Sequence, residues 1–164
     1  MDRLYPIDVD LKTLSPLTLA FVGDGVYELM VRERLASTAN RPAGALHHAA
    51  VAQVRAEAQA EAIKRLTPLL TEKELAVFKR GRNAHTVRSG DDYHRATGLE
   101  ALFGYLYLNG EIDRIRRLFS VAVGDTTVDD AIACGGTQHE EETTQKEQAA
   151  KKGETAGTDQ GSAD

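Results

Sequence analysis

The stretch Ser15 to Ser37, SPLTLAFVGDGVYELMVRERLAS, constrains this chain more than any other. Ser15 can cap a helix, and Pro16 suits the first helical position. Leu17, Ala20, Phe21, Val22, Val26, Leu29, Met30 and Leu35 recur at helical spacing. Most of this helix is therefore expected to be buried. Yet Gly23-Asp24-Gly25 sits in its middle. Two interior glycines cost about 1 kcal/mol each relative to alanine. A carboxylate among apolar residues costs more unless it is paired or binds a cation. Asp24 and Glu28 are four apart and share one face. A core helix gains nothing from this pattern, whereas a metal site does, and the glycines would admit close backbone packing. The plain alternative is a solvated stripe, with Arg32 four residues beyond Glu28.

A second helix repeats the pattern. Tyr93 to Leu108 reads YHRATGLEALFGYLYL and stops at Asn109-Gly110. Glu100 is its only acid, flanked by Gly98 and Gly104. Between the two helices the spacing predicts further helical segments. Pro42 to Leu46 reads as a short turn. His48 to Leu66 reads as one alanine-rich helix, with Ala49, Ala52, Ala56, Ala60 and Ile63 inward and Arg55, Glu57, Gln59, Glu61, Lys64 and Arg65 outward. Thr71 and Glu74 form a capping box that opens the next helix. Thr86 to Asp92 reads as a loop. Ile112 to Val123 reads as a last helix, with Ile115, Leu118, Phe119 and Ala122 inward and Arg114, Arg116 and Arg117 outward. Residues 1–14 read as an arm packed on the domain.

The expected architecture is all-α, with one domain over residues 1–128. Beyond it, residues 129–164 hold nine acids and three bases and almost no large apolar side chain. That segment reads as a disordered acidic tail. It accounts for the net charge of -5, because residues 1–128 hold sixteen acids and seventeen bases. Overall acidity therefore does not argue against a nucleic-acid partner. No apolar run is long enough to span a bilayer, and MDRLYPIDVD lacks the pattern of a secretory signal. The single cysteine, Cys134, excludes an intrachain disulfide and a multi-cysteine zinc site. A reducing cytoplasm is the expected compartment.

Lone carboxylates in two buried helices repel each other unless a proton or cation lies between them. Oxygen ligands favour magnesium, which keeps waters and bridges to phosphate. Lys79 to Arg95 carries five Lys/Arg, suited to phosphate contacts. Metal-dependent phosphodiester hydrolysis joins these features. A noncatalytic helical RNA-binding module, a hydrolase of small phosphate compounds and a structural helical protein stay open.

Phe21-Val22-Gly23-Asp24-Gly25-Val26-Tyr27-Glu28 resembles the signature helix of the ribonuclease III family. Gly98 to Leu108 resembles the family's second acidic motif. Lys79 to Ala84 and Tyr93 to Ala101 are similar to the mini-ribonuclease III branch. The resemblance spans roughly residues 15 to 125. It implies an all-helical endonuclease domain acting as a homodimer on double-stranded RNA with Mg(2+). It implies a role in maturing 23S ribosomal RNA precursors, with products bearing 5′-phosphate and 3′-hydroxyl ends. Asp24 and Glu100 fall on the catalytic, metal-binding carboxylates, with Glu28 a further candidate ligand. Lys79, Arg80, Arg82, Asn83 and Arg95 are the candidate RNA contacts, and Phe21 falls on an aromatic of the dimer interface. Ala20 and Thr97 stand where other members carry acids. Ordinary members carry a separate double-stranded RNA-binding domain after the catalytic one. Residues 129–164 are too short and too polar to be that domain, and a ribosomal-protein helper is a candidate partner the resemblance implies.

Overall fold

The computed structural model describes residues 4–5, 10–38, 40–84 and 90–125. All regular structure among them is helical: α1 (Pro16–Thr38), α2 (Ala43–Val54), α3 (Ala56–Leu66), α4 (Glu72–Arg82), α5 (Asp91–Leu108) and α6 (Ile112–Ala122). A 3-10 turn at Thr67–Leu69 joins α3 to α4. The acidic tail lies outside the described residues.

Helix α5 is the hub. It packs against α1, α3, α4 and α6, and Leu99, Leu102, Phe103 and Leu106 are fully buried. Tyr27 of α1 stacks edge-on against Phe103 and Phe119, with ring centroids 5.2 and 5.5 Å apart. Such edge contacts suit the aromatic quadrupole. Two of the expected helix ends hold. The Ser15 hydroxyl accepts from the Thr18 amide at 3.0 Å, and Gly110 ends α5 with a φ of 77°.

Several expectations are corrected. First, α1 is not mostly buried. Leu19, Ala20, Gly23, Tyr27 and Val31 form the buried stripe, whereas Phe21 is 83% exposed and Leu17 and Leu29 are exposed too. Packing within the chain covers only one face of this helix. Second, His48 to Leu66 is not one helix. Arg55 adopts an extended backbone (φ -64°, ψ 152°), separating α2 from α3. Neither glycine nor proline marks this break. Packing imposes it, because α2 lies against α1 while α3 turns to follow α5. Pro42 to Leu46 joins this system as the start of α2, and Asp91 and Asp92 form the first turn of α5 rather than a loop. Acids there face the positive end of the helix dipole.

Third, Arg114 does not point outward. Its guanidinium grips the Glu74 carboxylate at 2.7 and 2.8 Å and donates to the Leu69 carbonyl at 2.6 Å. Glu74 also completes the capping box with Thr71, accepting from the Thr71 amide at 2.8 Å. Burial pushes the Glu74 carboxyl up, but the hydrogen bonds from Arg114 and Thr71 outweigh it and hold the group below its usual value. Removing one partner of a buried ion pair leaves an uncompensated charge. Glu74→Ala is therefore expected to cost about 3–5 kcal/mol in urea unfolding. Because the folded carboxyl is depressed, its contribution is present above the unfolded value and fades as pH falls through the folded one. Equal urea midpoints for the variant and the parent protein would remove this pair from the stability of the fold.

Candidate active site

Glycine sets the geometry of the α1–α5 crossing. A Cβ on Gly23 would lie 1.8 Å from the Glu100 carbonyl oxygen and 2.6 Å from the Gly104 amide nitrogen. A Cβ on Gly104 would lie 2.0 Å from the Leu19 carbonyl oxygen. The two backbones therefore touch, as the glycines implied. Gly25 has open space around it and serves no such contact. A second glycine contact joins α4 to α5, where Gly98 lies against the Phe78 ring and Gly81 against Ala101.

This crossing brings together the residue after Gly23 and the residue whose carbonyl Gly23 covers. Those residues are Asp24 and Glu100. The Glu100 carboxyl is pushed up to about 7, chiefly by burial and then by the negative charge of Asp24. Asp24 is also raised, by burial and then by the charge of Glu28. Glu28 itself bonds Arg32, whose Nε donates to Glu28 Oε1 at 3.1 Å. It thus stands one turn from Asp24 with a cationic partner of its own.

Helix α3 adds a residue that the sequence reading placed on an outer face. Gln59 is 1% exposed and hydrogen-bonds the Glu100 carboxylate. Its Oε1 is buried without a hydrogen-bond partner. A signal was available in the sequence, because Gln59 shares the buried α3 stripe with Ala60, Ile63 and Leu66. The positions of the two missing acids supply no carboxylate. Ala20 is buried, and the Thr97 hydroxyl donates to the Tyr93 carbonyl at 3.1 Å.

Among the described residues, no three His, Cys, Asp or Glu side chains converge as a metal site. The donor set is two carboxylates with raised proton affinity and one unpartnered carboxamide oxygen. All are hard oxygen donors, and two acids suit a cation that retains several waters and takes substrate phosphate for other positions. A hydrated magnesium ion fits this set.

The basic run divides. Lys79, Arg82 and Arg95 line a cleft of about 340 Å³ together with Lys64, Ile63 and Phe78. Arg82 lies 5.9 Å from the Phe78 ring centroid, and its Nε donates to Asn83 Oδ1 at 3.2 Å. Arg95 pairs with Asp91 at 2.7 Å. The cleft is lined from α3, α4 and, on α5, Arg95, and neither Asp24 nor Glu100 lines it. Arg80 faces elsewhere, in a second cleft with Lys12, Lys73 and Tyr105. The structure therefore groups Lys79, Arg82 and Arg95 in one cleft and places Arg80 in another.

The Ribonuclease III domain family matches residues 17–111. The chain is 45% identical over 116 residues to Mini-ribonuclease 3 of Thermoanaerobacter sp. (strain X514), covering 68% of this chain and 82% of that protein. It is 50% identical over 101 residues to Mini-ribonuclease 3 of Synechococcus sp., covering 59% of this chain and 72% of that protein. A crystal structure of a Fusobacterium nucleatum protein superimposes with a TM-score of 0.65 at 29% identity, covering 72% of this chain and 98% of that one. With its glycine crossing, paired carboxylates and all-helical fold, the chain belongs to the ribonuclease III family, in its mini-ribonuclease III branch.

Proposed function

We propose that this protein is a magnesium-dependent endoribonuclease that hydrolyses phosphodiester bonds in double-stranded RNA. The observation that carries this reading is the meeting of Asp24 and Glu100 where α1 and α5 touch. Asp24 and Glu100 would hold the cation, and Glu28 would tune Asp24 through its charge. Bound magnesium would lower the pKa of a water and polarise the scissile phosphate. In the hydrolysis, water oxygen bonds to phosphorus and the 3′-oxygen leaves with a proton. The products carry 5′-phosphate and 3′-hydroxyl ends.

Lys79, Arg82 and Arg95 would hold the RNA backbone, with Asn83 orienting Arg82. Lys79→Ala and Arg82→Ala are expected to weaken duplex binding, each reducing the slope of log affinity against log salt by about 1. Arg80→Ala tests whether the duplex reaches the second cleft. Unchanged slopes for all three variants would move the RNA surface elsewhere.

The exposed face of α1 supports a homodimer. Phe21 stands beside a cleft of about 500 Å³ lined by Val22, Val26, Leu29, Met30, Tyr107 and Ile112. A second copy related by two-fold symmetry would bury this apolar surface twice and supply a second centre for the opposite strand. Phe21→Asp is expected to halve the mass seen by sedimentation equilibrium. A variant that sediments like the parent protein would remove Phe21 from the interface.

Among the described residues, no helix is long and apolar enough to cross a membrane. The proposed setting is the cytoplasm, the proposed substrate is precursor 23S ribosomal RNA, and a ribosomal protein is the proposed helper. Residues 129–164 are proposed as a dispensable acidic extension. The deciding experiment incubates purified protein with magnesium and precursor 23S RNA and maps both ends of every product. Paired cuts across a stem, lost on chelation, support the reading. RNA that is bound but never cut would favour a noncatalytic binding module.

A further inference from the structure

We propose that Gln59 is the positioning residue of the carboxylate centre, clamping Glu100 through its Nε2 and presenting its Oε1 to a water of the bound cation. This rests on the reading of Asp24 and Glu100 as cation ligands. A carboxylate only accepts hydrogen bonds when ionised, so the carboxamide must turn its nitrogen toward Glu100. That orientation is what leaves the buried Oε1 without a donor, although Asp24 beside the centre is exposed. The position belongs to the apolar stripe of α3, between the levels of Arg55 and Ile63, where leucine of similar volume would bury no polar atom. A buried acceptor is retained at a cost unless something donates to it.

The chemistry of the centre supplies such a donor. With Ala20 and Thr97 in place of acids, two carboxylates cannot complete the shell of a magnesium ion. Waters fill the remainder, and each cation-bound water is a strong hydrogen-bond donor. An acceptor fixed beside Glu100 orients one of them. Gln59 thus couples the ligand and the hydration shell through a single side chain, held by a helix that contributes no carboxylate to the centre. Outer partners of this kind typically govern metal affinity by about 10- to 100-fold.

The test measures binding of magnesium alone, without RNA, by titration calorimetry on the full chain. Gln59→Leu is expected to bind magnesium about 10- to 100-fold more weakly than the parent protein. Its affinity for duplex RNA in chelator is expected to stay at the parent value. Gln59→Glu keeps an oxygen at the same place and adds a charge that the cation relieves, so its magnesium affinity is expected to equal or exceed the parent value. It also decides the matter if the leucine variant does not fold, since a weaker affinity than the parent would overturn the proposal. Weak magnesium binding by Asp24→Asn together with parent-like binding by Gln59→Leu would overturn the role of Gln59 alone. Parent-like binding by both would overturn the cation centre as well.

Discussion

Asp24→Asn and Glu100→Gln are each expected to lower the rate of duplex RNA cleavage by at least about 10²- to 10³-fold, the loss expected when a preorganised charge at the reacting phosphate is removed. Both variants keep the shape of the side chain and delete its charge, so folding is spared. Indeed Glu100→Gln changes stability in an informative direction. Burial and Asp24 hold the Glu100 carboxyl near 7 in the folded protein, above its unfolded value. For an acid with a raised folded value, the folded state binds the extra proton. In chelator, the parent protein therefore loses stability as pH rises from the unfolded value through about 7. A glutamine at this position does not titrate, so the melting temperature of Glu100→Gln should fall less between pH 5 and pH 8. Near-parent cleavage by either variant would sink its catalytic assignment. Parallel melting curves across that range would remove the charge conflict at Glu100.

Gly104→Ala is expected to destabilise the fold by about 3 kcal/mol or more, at the upper end of overpacking costs. The added methyl would meet the Leu19 carbonyl at 2.0 Å and the Gly23 amide at 2.9 Å. Both are backbone atoms of a helix, and no rotamer change can move them aside. The α1–α5 crossing would have to open, separating Asp24 from Glu100. Cleavage should then fall even under conditions where the variant remains folded. Gly44→Ala is the control, since nothing lies within 4 Å of its Cβ position. It is expected to be neutral or to stabilise α2 by about 0.5 kcal/mol through helix propensity. Similar unfolding midpoints for the two alanine variants would refute a steric role for Gly104.

Local chemistry made much of this protein legible before its structure. Ser15 and Pro16 start α1, Thr71 and Glu74 cap α4, and Asn109-Gly110 stops α5, because each feature acts over a few residues of chain. The lone carboxylates were legible for a similar reason: Asp24 and Glu100 each contradict the apolar helix that carries them. Motif spacing then led to the family.

Other features depend on elements that are distant in sequence. Arg55 breaks a good helix-forming stretch only because α2 and α3 serve different neighbours. Arg114 turns inward because Glu74, forty residues away, offers it a carboxylate. Phe21 stays exposed although its helix is apolar, since the α1–α5 contact uses the face bearing Leu19, Gly23 and Tyr27. Gln59 lies at helical spacing from Ile63 and Leu66, but only the tertiary contact sets Glu100 against it. The sequence by itself determined which helices carry a lone carboxylate and where local caps set a helix end, as at Ser15, Thr71 and Asn109-Gly110. Only the tertiary structure decided which side chains meet those carboxylates, because burial and charge pairing depend on how helices far apart in the chain cross.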